Sequence, residues 1–265
     1  MFIVYIFLFI CGSMFTQSAF AVGEKTVFLG GSSSWNAAEN RTGIIEAASV
    51  RPYSVLLLSS LAKHTRLEPE FDLSVSFDER DAGLFRDNTG QYKVSVQGNA
   101  EVVGRNYARI GQGAALFSSS RGSVVIEPQR RSALFASGNR IGDFSIEFWL
   151  CPLNLENGEG ILTWYSSGIN QIQCIASKNR LQWKFVNFFA SSNNEKYINI
   201  EFSGNTPIVP KTWSHHLVRF DADTGMIEYL VDGVSEAIVY ATGTGRESRD
   251  VYTPVAGNNG FFRLG

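Results

Sequence analysis

The stretch Gly142 to Pro152 constrains the fold of this chain more than any other stretch. Its large apolar residues stand at every second position, at Phe144, Ile146, Phe148 and Leu150. Because successive side chains of a β-strand point to opposite faces, this period predicts a strand with one apolar face and one mixed face, the latter made of Ser145, Glu147, Trp149 and Cys151. Such a strand belongs to a sheet that packs against a second sheet. The stretch therefore predicts a two-layer β architecture.

Beyond Glu70 the chain continues as short alternating segments separated by Gly, Asn and Asp, without a pattern typical of a long helix. The predicted strands are 73–77, 92–96, 114–117, 124–126, 144–150, 160–165, 171–176, 181–185, 197–202, 213–220, 226–231 and 237–240. The segments 221–225 and 232–233 contain Asp and Gly, which accept the positive φ of hairpin turns. We therefore expect neighbouring antiparallel strands joined by tight turns.

Composition excludes one class of partner. The chain has 265 residues, of which 44% are hydrophobic, so a sizeable core can form. Its 23 Lys and Arg residues nearly balance 25 Asp and Glu residues. Because the net charge is close to zero, no overall field attracts nucleic acid, and we expect none as a partner.

Residues 1–21 form a segment of a different kind. A continuous apolar run, 2–10, is followed by small and polar residues that end in Ala19-Phe20-Ala21. This pattern predicts a secretory signal peptide cleaved after Ala21, although the segment lacks the usual Lys or Arg. An uncleaved anchor and a lipoprotein acylated on Cys11 are the alternatives. We expect an exported protein, periplasmic, cell-surface or extracellular, with no transmembrane span in the mature chain.

Residues 22–70 are less regular and are interpreted as an N-terminal extension. So short a segment seldom holds a core alone, which favours strands added to the main sheet over a separate module. The remaining residues, 71–265, form the predicted main domain.

Two cysteines, Cys151 and Cys174, remain after removal of the signal peptide. In an oxidising compartment they can form one disulfide between neighbouring strands. Two buried free thiols are the alternative, because cysteine also serves as a small apolar residue inside sheets. The sequence leaves both open.

Six segments in order, 71–79, 87–90, 111–117, 143–149, 213–218 and 229–233, give the chain a family resemblance. They resemble the laminin-G-like, concanavalin A-like lectin and glucanase jelly rolls. The resemblance implies an all-β, two-sheet antiparallel sandwich in a secreted or surface setting, which binds carbohydrate or another extracellular partner. It covers residues 71 to 265. Because 261–265 resembles the family's penultimate strand, the domain is expected to lack its final strand and the sequence to be a fragment.

The same fold also includes enzymes, so we searched for catalytic residues. Laminarinase-type glucanases need two carboxylates close together on one strand face. No second carboxylate follows Glu147 at two or four residues, where Trp149 and Cys151 stand, and Glu228 is matched only by Asp232, which a turn explains. His215 and His216 are adjacent and point to opposite faces of a strand, so they cannot serve one site.

We therefore predict no catalytic residues and a non-enzymatic binding or adhesion module. The alternatives are a glycoside-active enzyme of the same fold and a structural domain of a longer surface protein. In the non-enzymatic reading, His215 is a hydrogen-bonded sheet histidine beside Trp213.

Glu147 and Trp149 are the predicted ligand-binding residues. Sugar rings stack on Trp side chains while neighbouring polar groups bind their hydroxyls, and these two residues share the mixed face of the strand at 144–150. The alternative is that the extension or a loop covers Trp149.

Asp221 and Asp223 are weak candidates for a calcium site, since some relatives of the resembled fold hold calcium in loops at the sheet edge. Turn chemistry explains the same spacing and is the favoured interpretation.

Overall fold

The computed structural model describes residues 2–10, 71–75, 77, 85–109, 113–117, 122–129, 132, 135, 140–166, 171–257 and 259–265, with only the backbone described for 2–10. The cleavage site after Ala21, Cys11 and the extension at 22–70 lie outside these residues. So does the third histidine, His64.

The described chain is built from strands and one short 3-10 turn, Arg105–Tyr107. In chain order the strands are β1 Phe2–Ile10, β2 Phe71–Val75, β3 Tyr92–Gln97, β4 Ala100–Gly104, β5 Gly113–Phe117, β6 Ser123–Pro128, β7 Phe144–Pro152, β8 Gly160–Ser166, β9 Gln171–Ser177, β10 Arg180–Ala190, β11 Tyr197–Ser203, β12 Ser214–Phe220, β13 Met226–Val231, β14 Val234–Tyr240, β15 Thr253–Pro254 and β16 Gly260–Leu264. Each predicted strand segment overlaps one of these.

The strands form two antiparallel sheets. Sheet A has the order β14-β13-β12-β7-β1-β5-β4, with β2 paired to β1, and sheet B has the order β11-β10-β9-β8-β16-β6-β3, with β15 paired to β10. Rings from the two sheets meet in the interior, as Phe144 of sheet A does with Phe185 of sheet B at a centroid distance of 6.5 Å. The predicted all-β, two-sheet antiparallel sandwich is confirmed.

Strand β7 lies near the centre of sheet A and has the predicted apolar face. Phe148 is fully buried, with its ring 5.3 Å from His216 and 6.0 Å from Trp183 of sheet B. Trp183 and Phe185 of β10 are also fully buried, whereas Lys184 between them is not. The alternation read from the sequence therefore positions the core on both sides of the sandwich.

Strand β1 occupies the place between β7 and β5. Its backbone pairs with β7 from Phe2 opposite Pro152 to Ile10 opposite Phe144. It also pairs with β5 and, at its other end, with β2. The residues predicted to form the apolar part of a signal peptide thus form a strand here, and removal of this segment stays a prediction.

The hairpin turns have the conformation that their residues predict. Asp232 and Gly233 have φ values of 50° and 79°, and Gly225 has 73°. Within the described part of the chain, no helix is long and apolar enough to cross a membrane.

Candidate functional site

The outer face of sheet B is the described surface with the chemistry of a binding site. Alternation puts Trp164 and Phe262 in the core and their neighbours on the outside. Nine side chains on five adjacent strands of this outer face lie together: Thr163, Tyr165, Gln171, Gln173, Gln182, Lys184, Glu201, Phe261 and Arg263. Most are exposed or half-buried, so this face is open to solvent.

Two rings and a guanidinium stand together on this face. Phe261 pairs with Tyr165 across strands β16 and β8, and their ring centroids are 5.7 Å apart at an interplanar angle of 32°. The Tyr165 side chain is 38% exposed. The Cζ atom of Arg263 lies 5.4 Å from the Phe261 ring centroid, within the range of a cation–π interaction.

A glycine brings the two strands together. A Cβ atom at Gly260 would lie 1.7 Å from the carbonyl oxygen of Tyr165, so any other residue here would push β16 away from β8. Gly260 therefore sets the position of Phe261, the next residue, beside Tyr165.

A row of polar side chains lies beside the rings. Cross-strand pairing runs from Arg263 to Thr163, then to Gln173, Lys184 and Glu201. At the far end the Lys184 Nζ atom is 3.5 Å from Glu201 Oε2, and Gln182 donates a hydrogen bond of 2.7 Å to Glu201 Oε1. Since strands are about 4.8 Å apart, the row spans about 19 Å over four intervals.

This arrangement can bind a flat, hydroxylated ligand. Aromatic rings accept the apolar faces of sugar rings, and amide, hydroxyl and charged side chains bind the hydroxyl groups around them. The length of the row suits a chain that lies across the strands rather than a single sugar.

The predicted ligand-binding pair, Glu147 and Trp149, lies on the outer face of the other sheet. The structure brings a third residue, His215, to this pair. The His215 Nε2 atom is 3.1 Å from Glu147 Oε1, and the His215 ring is 5.2 Å from the Trp149 ring. Arg109 lies over Trp149, with its Cζ atom 5.3 Å from the ring centroid. His215 therefore contacts this pair, where the sequence placed it beside Trp213.

All three members of this cluster are covered. Glu147 is 6% exposed, Trp149 5% and His215 8%. Glu147 Oε1 and His215 Nε2 are close enough for an ion pair but not aligned as a hydrogen bond, and the Trp149 indole nitrogen has no hydrogen-bond partner. Trp149 therefore does not present its ring to solvent in this structure, and its role in ligand binding stays a prediction.

The two adjacent histidines lie on opposite faces, as predicted. His216 is fully buried, and its ring nitrogens lie 2.7 Å from the Tyr229 hydroxyl and 2.8 Å from the Ser214 hydroxyl. Burial, together with the charge of the neighbouring His215, lowers the pKa of His216 to about 3. His216 is therefore a neutral core residue at physiological pH.

Asp221 acts in its own turn. Its Oδ1 atom accepts hydrogen bonds of 2.9 Å and 3.1 Å from the backbone amides of Asp223 and Thr224. Asp143 lies nearby and accepts one from the Ala222 amide; burial raises the pKa of Asp143, and Asp221 and Asp223 raise it further. Over the described residues, no group of three or more His, Cys, Asp or Glu side chains could hold a metal ion.

The cysteines are free thiols in this structure. Cys151 lies in β7 of sheet A and Cys174 in β9 of sheet B, and both are buried. Of the two alternatives that the sequence left open, the disulfide is thus not formed. Burial raises the pKa of both thiols, and most strongly that of the fully buried Cys174.

Glu228, the other carboxylate considered for catalysis, is held by Arg219, whose Nε atom donates a hydrogen bond of 2.7 Å to Glu228 Oε2.

The sequence did not predict the outer face of sheet B as a site. The signal was present, since 160–165 and 261–265 alternate with one aromatic residue outward in each, but only the pairing of β16 with β8 brings these aromatic residues together.

Comparisons with known proteins find similar structures only. No protein-family model and no curated protein matches the chain. Domain 4 of AbnA, an extracellular arabinanase from Geobacillus stearothermophilus, is 16% identical with a TM-score of 0.46, and the match covers 73% of this chain and 84% of that domain.

Two further structures match over a smaller share of their own chain and with lower TM-scores. The receptor-binding domain of botulinum neurotoxin D is 13% identical with a TM-score of 0.44, and the match covers 71% of this chain and 46% of that one. An endo-1,3-beta-glucanase from Streptomyces sioyaensis is 15% identical with a TM-score of 0.32, over 69% of this chain and 66% of that enzyme. At these identities and TM-scores, the three structures carry no information about a ligand of this chain.

Proposed function

We propose that this chain is an exported, non-enzymatic carbohydrate-binding module of laminin-G-like type, which attaches to a polysaccharide through the outer face of sheet B. The observation that carries the proposal is the ring pair of exposed Tyr165 and half-buried Phe261 beside a row of hydrogen-bonding side chains. In a binding or adhesion role at the cell envelope, the rings supply contact area and the polar row supplies specificity.

Binding without hydrolysis is supported by the positions of the carboxylates on this face. Glu201 lies in β11 and Glu127 in β6, five strand intervals apart in sheet B. That corresponds to about 24 Å. Glycosidases hold their two carboxyl groups about 5 to 10 Å apart. A glycoside-active enzyme of the same fold is the alternative, and release of reducing sugars from β-glucans would reveal it.

The test is a glycan array followed by affinity electrophoresis in gels that contain the retained polysaccharides. The single substitutions Tyr165→Ala and Phe261→Ala should each weaken retention about tenfold, because a stacked aromatic ring contributes about 0.5 to 1.5 kcal/mol beyond the area that it buries, and about 1.4 kcal/mol corresponds to a factor of ten. Tyr107→Ala is the matched control, since Tyr107 is also an exposed ring, at 63%, but follows β4 of the other sheet.

The same gels decide between the two candidate faces. If Trp149→Phe abolished retention while both ring substitutions on sheet B left it unchanged, the binding site would be the covered cluster of Glu147, Trp149 and His215. Absence of binding to every polysaccharide would overturn the proposal altogether.

A further inference from the structure

Arg263 is an exposed cation on the outer face of sheet B that forms no ion pair with a described carboxylate. Lys184 is paired with Glu201 at 3.5 Å, and Lys93 stands directly opposite Glu127 on β3 and β6. In contrast, no carboxylate in the described part of the chain pairs with Arg263, which is exposed and contacts the Phe261 ring. Within the described part of the chain, the ring pair thus has a cation beside it that is not in an ion pair.

The position of this guanidinium suits a planar anion. Its neighbours directly across the strands are Thr163 and Val125, which carry no charge. Glu127 lies two residues beyond Val125 on β6, and among the described ion pairs it has none with Arg263. A guanidinium held over a ring keeps N–H donors around its edge, and these donors match the two oxygens of a carboxylate. A ligand whose sugar ring packs on Tyr165 or Phe261 would place a ring substituent close to Arg263.

We infer that the polysaccharide is anionic, with carboxylate-bearing uronic acid residues, and that Arg263 selects it by binding the carboxylate. This inference rests on the proposed function and names its ligand class. The rings favour a sugar over an acidic peptide, because a flat aromatic pair beside a carboxylate-binding cation matches a uronate ring that has an apolar face and a carboxyl group at its edge.

The experiment compares two polymers that differ only in charge. Polygalacturonate carries free carboxylates, and its fully methyl-esterified form carries the same backbone with neutral esters; alginate serves as a second polyuronate. The wild-type chain should bind polygalacturonate or alginate at least about tenfold more tightly than the esterified polymer, since the ester cannot form the charge-assisted hydrogen bonds that a carboxylate forms with a guanidinium.

Two variants assign the preference to Arg263. Arg263→Gln should remove the preference for the charged polymer while retaining binding to the esterified one, and Arg263→Lys should restore only part of it because a lysine cannot bind a carboxylate with a planar fork. Lys93→Gln is the control for charge alone, since it removes one exposed positive charge from β3 of the same sheet and should leave the preference intact.

The outcomes separate this inference from the proposed function. Equal binding to charged and esterified polymers, with Arg263→Gln unchanged and Tyr165→Ala impaired, would overturn the anionic ligand and leave the carbohydrate module standing. Tight binding of an acidic peptide such as polyglutamate, independent of Tyr165, would overturn both. Loss of the preference in Lys93→Gln to the same degree as in Arg263→Gln would show a general charge effect and also overturn the role of Arg263.

Discussion

Phe261 lies beside Tyr165 on the solvent side of sheet B, with 5.7 Å between the ring centroids, although the strands that carry them are distant in the chain. The residues next to them, Phe262 and Trp164, pair in the same register on the inner side and are both buried. The inner pair therefore fixes the register that aligns the outer pair. Core packing and the candidate binding surface depend on one strand pairing.

We expect ring deletion to destabilise the protein far more on the inner side of the sandwich than on the outer side. Phe148→Ala removes a fully buried ring and should lower the free energy of unfolding by about 3 to 5 kcal/mol. Tyr165→Ala removes a ring of similar size that is 38% exposed and should cost far less. Urea unfolding of both variants measures the difference, and equal midpoints would contradict the assignment of inner and outer faces.

Stability should fall in mild acid because of His216. The pKa of His216 is about 3 in the folded chain, against a usual value of 6.5. Between these two pH values the unfolded chain binds a proton that the folded chain does not, so the free energy of unfolding decreases as pH falls, by up to about 1.4 kcal/mol per pH unit. Above pH 6.5 the contribution of His216 is constant.

His216→Gln is the matched variant for this pH dependence, since glutamine keeps hydrogen-bonding groups near Tyr229 and Ser214 and does not titrate. Urea unfolding at pH 6.5 and pH 5 should show a smaller loss in the variant than in the wild-type chain. The other two histidines are common to both proteins, so their contributions cancel in the comparison. Identical slopes would mean that His216 is not neutral in the folded core.

Asp87 should be the most sensitive turn carboxylate. Its two oxygens accept hydrogen bonds from the backbone amides of Ser74, Thr89, Gln91 and Tyr92 and from the Thr89 hydroxyl. Asp87→Asn puts an amide NH₂ group against some of these donors and should cost about 1 to 3 kcal/mol. Asp223→Asn, the same change in an exposed turn, should stay within about 0.5 kcal/mol in thermal unfolding. A smaller loss for Asp87 than for Asp223 would contradict this account.

Residues 2–10 cannot be both a cleaved signal segment and strand β1 of the mature chain, and deletion of residues 1–21 distinguishes the two: if β1 belongs to the folded protein, the deletion destabilises sheet A. It removes β1 and its nine residue pairs with β7, and it opens edges on β7 and β5 in the middle of the sheet. Unpaired strand edges associate with other chains, so the shortened protein should melt earlier and scatter more light than the full chain. Deletion of 13–21 alone retains β1 and is the control. An unchanged midpoint with a monomeric shortened chain would mean that this strand is dispensable.

Most of the fold follows from side-chain alternation. In β10 from Leu181 to Phe185 every second residue is large and apolar, and those residues are the buried ones. In β7 the alternating apolar residues are buried as well, but so are the residues between them except Ser145. Strands β1 and β4 were not predicted from alternation, each for a physical reason. Phe2–Ile10 is apolar at every position, a pattern that a signal segment and a fully buried strand share. Ala100–Gly104 has no large apolar side chain that would mark one face. Strand β10 also extends beyond its predicted end, past Asn187 with a φ of 48°.

The candidate site was harder to predict than the fold, because its residues come from strands that are distant in the sequence and meet only when those strands pair in the sheet. The sequence identified Trp149 from the mixed face of β7, but exposure depends on what covers a face, and Trp149 is 5% exposed. It gave no signal that Tyr165 has a ring beside it, because Phe261 comes from β16. Likewise, His215 reaches Glu147 only through the pairing of β12 with β7.

The insertion of β16 between β8 and β6 has a consequence for biosynthesis. Both neighbours are synthesised well before it, so an emerging chain that has not yet reached Gly260 has Tyr165 alone and lacks both Phe261 and Arg263. The proposed binding surface is therefore incomplete until β16 has been synthesised. Attachment to a polysaccharide would begin only once sheet B is complete, and polysaccharide retention would serve as an assay for properly folded protein.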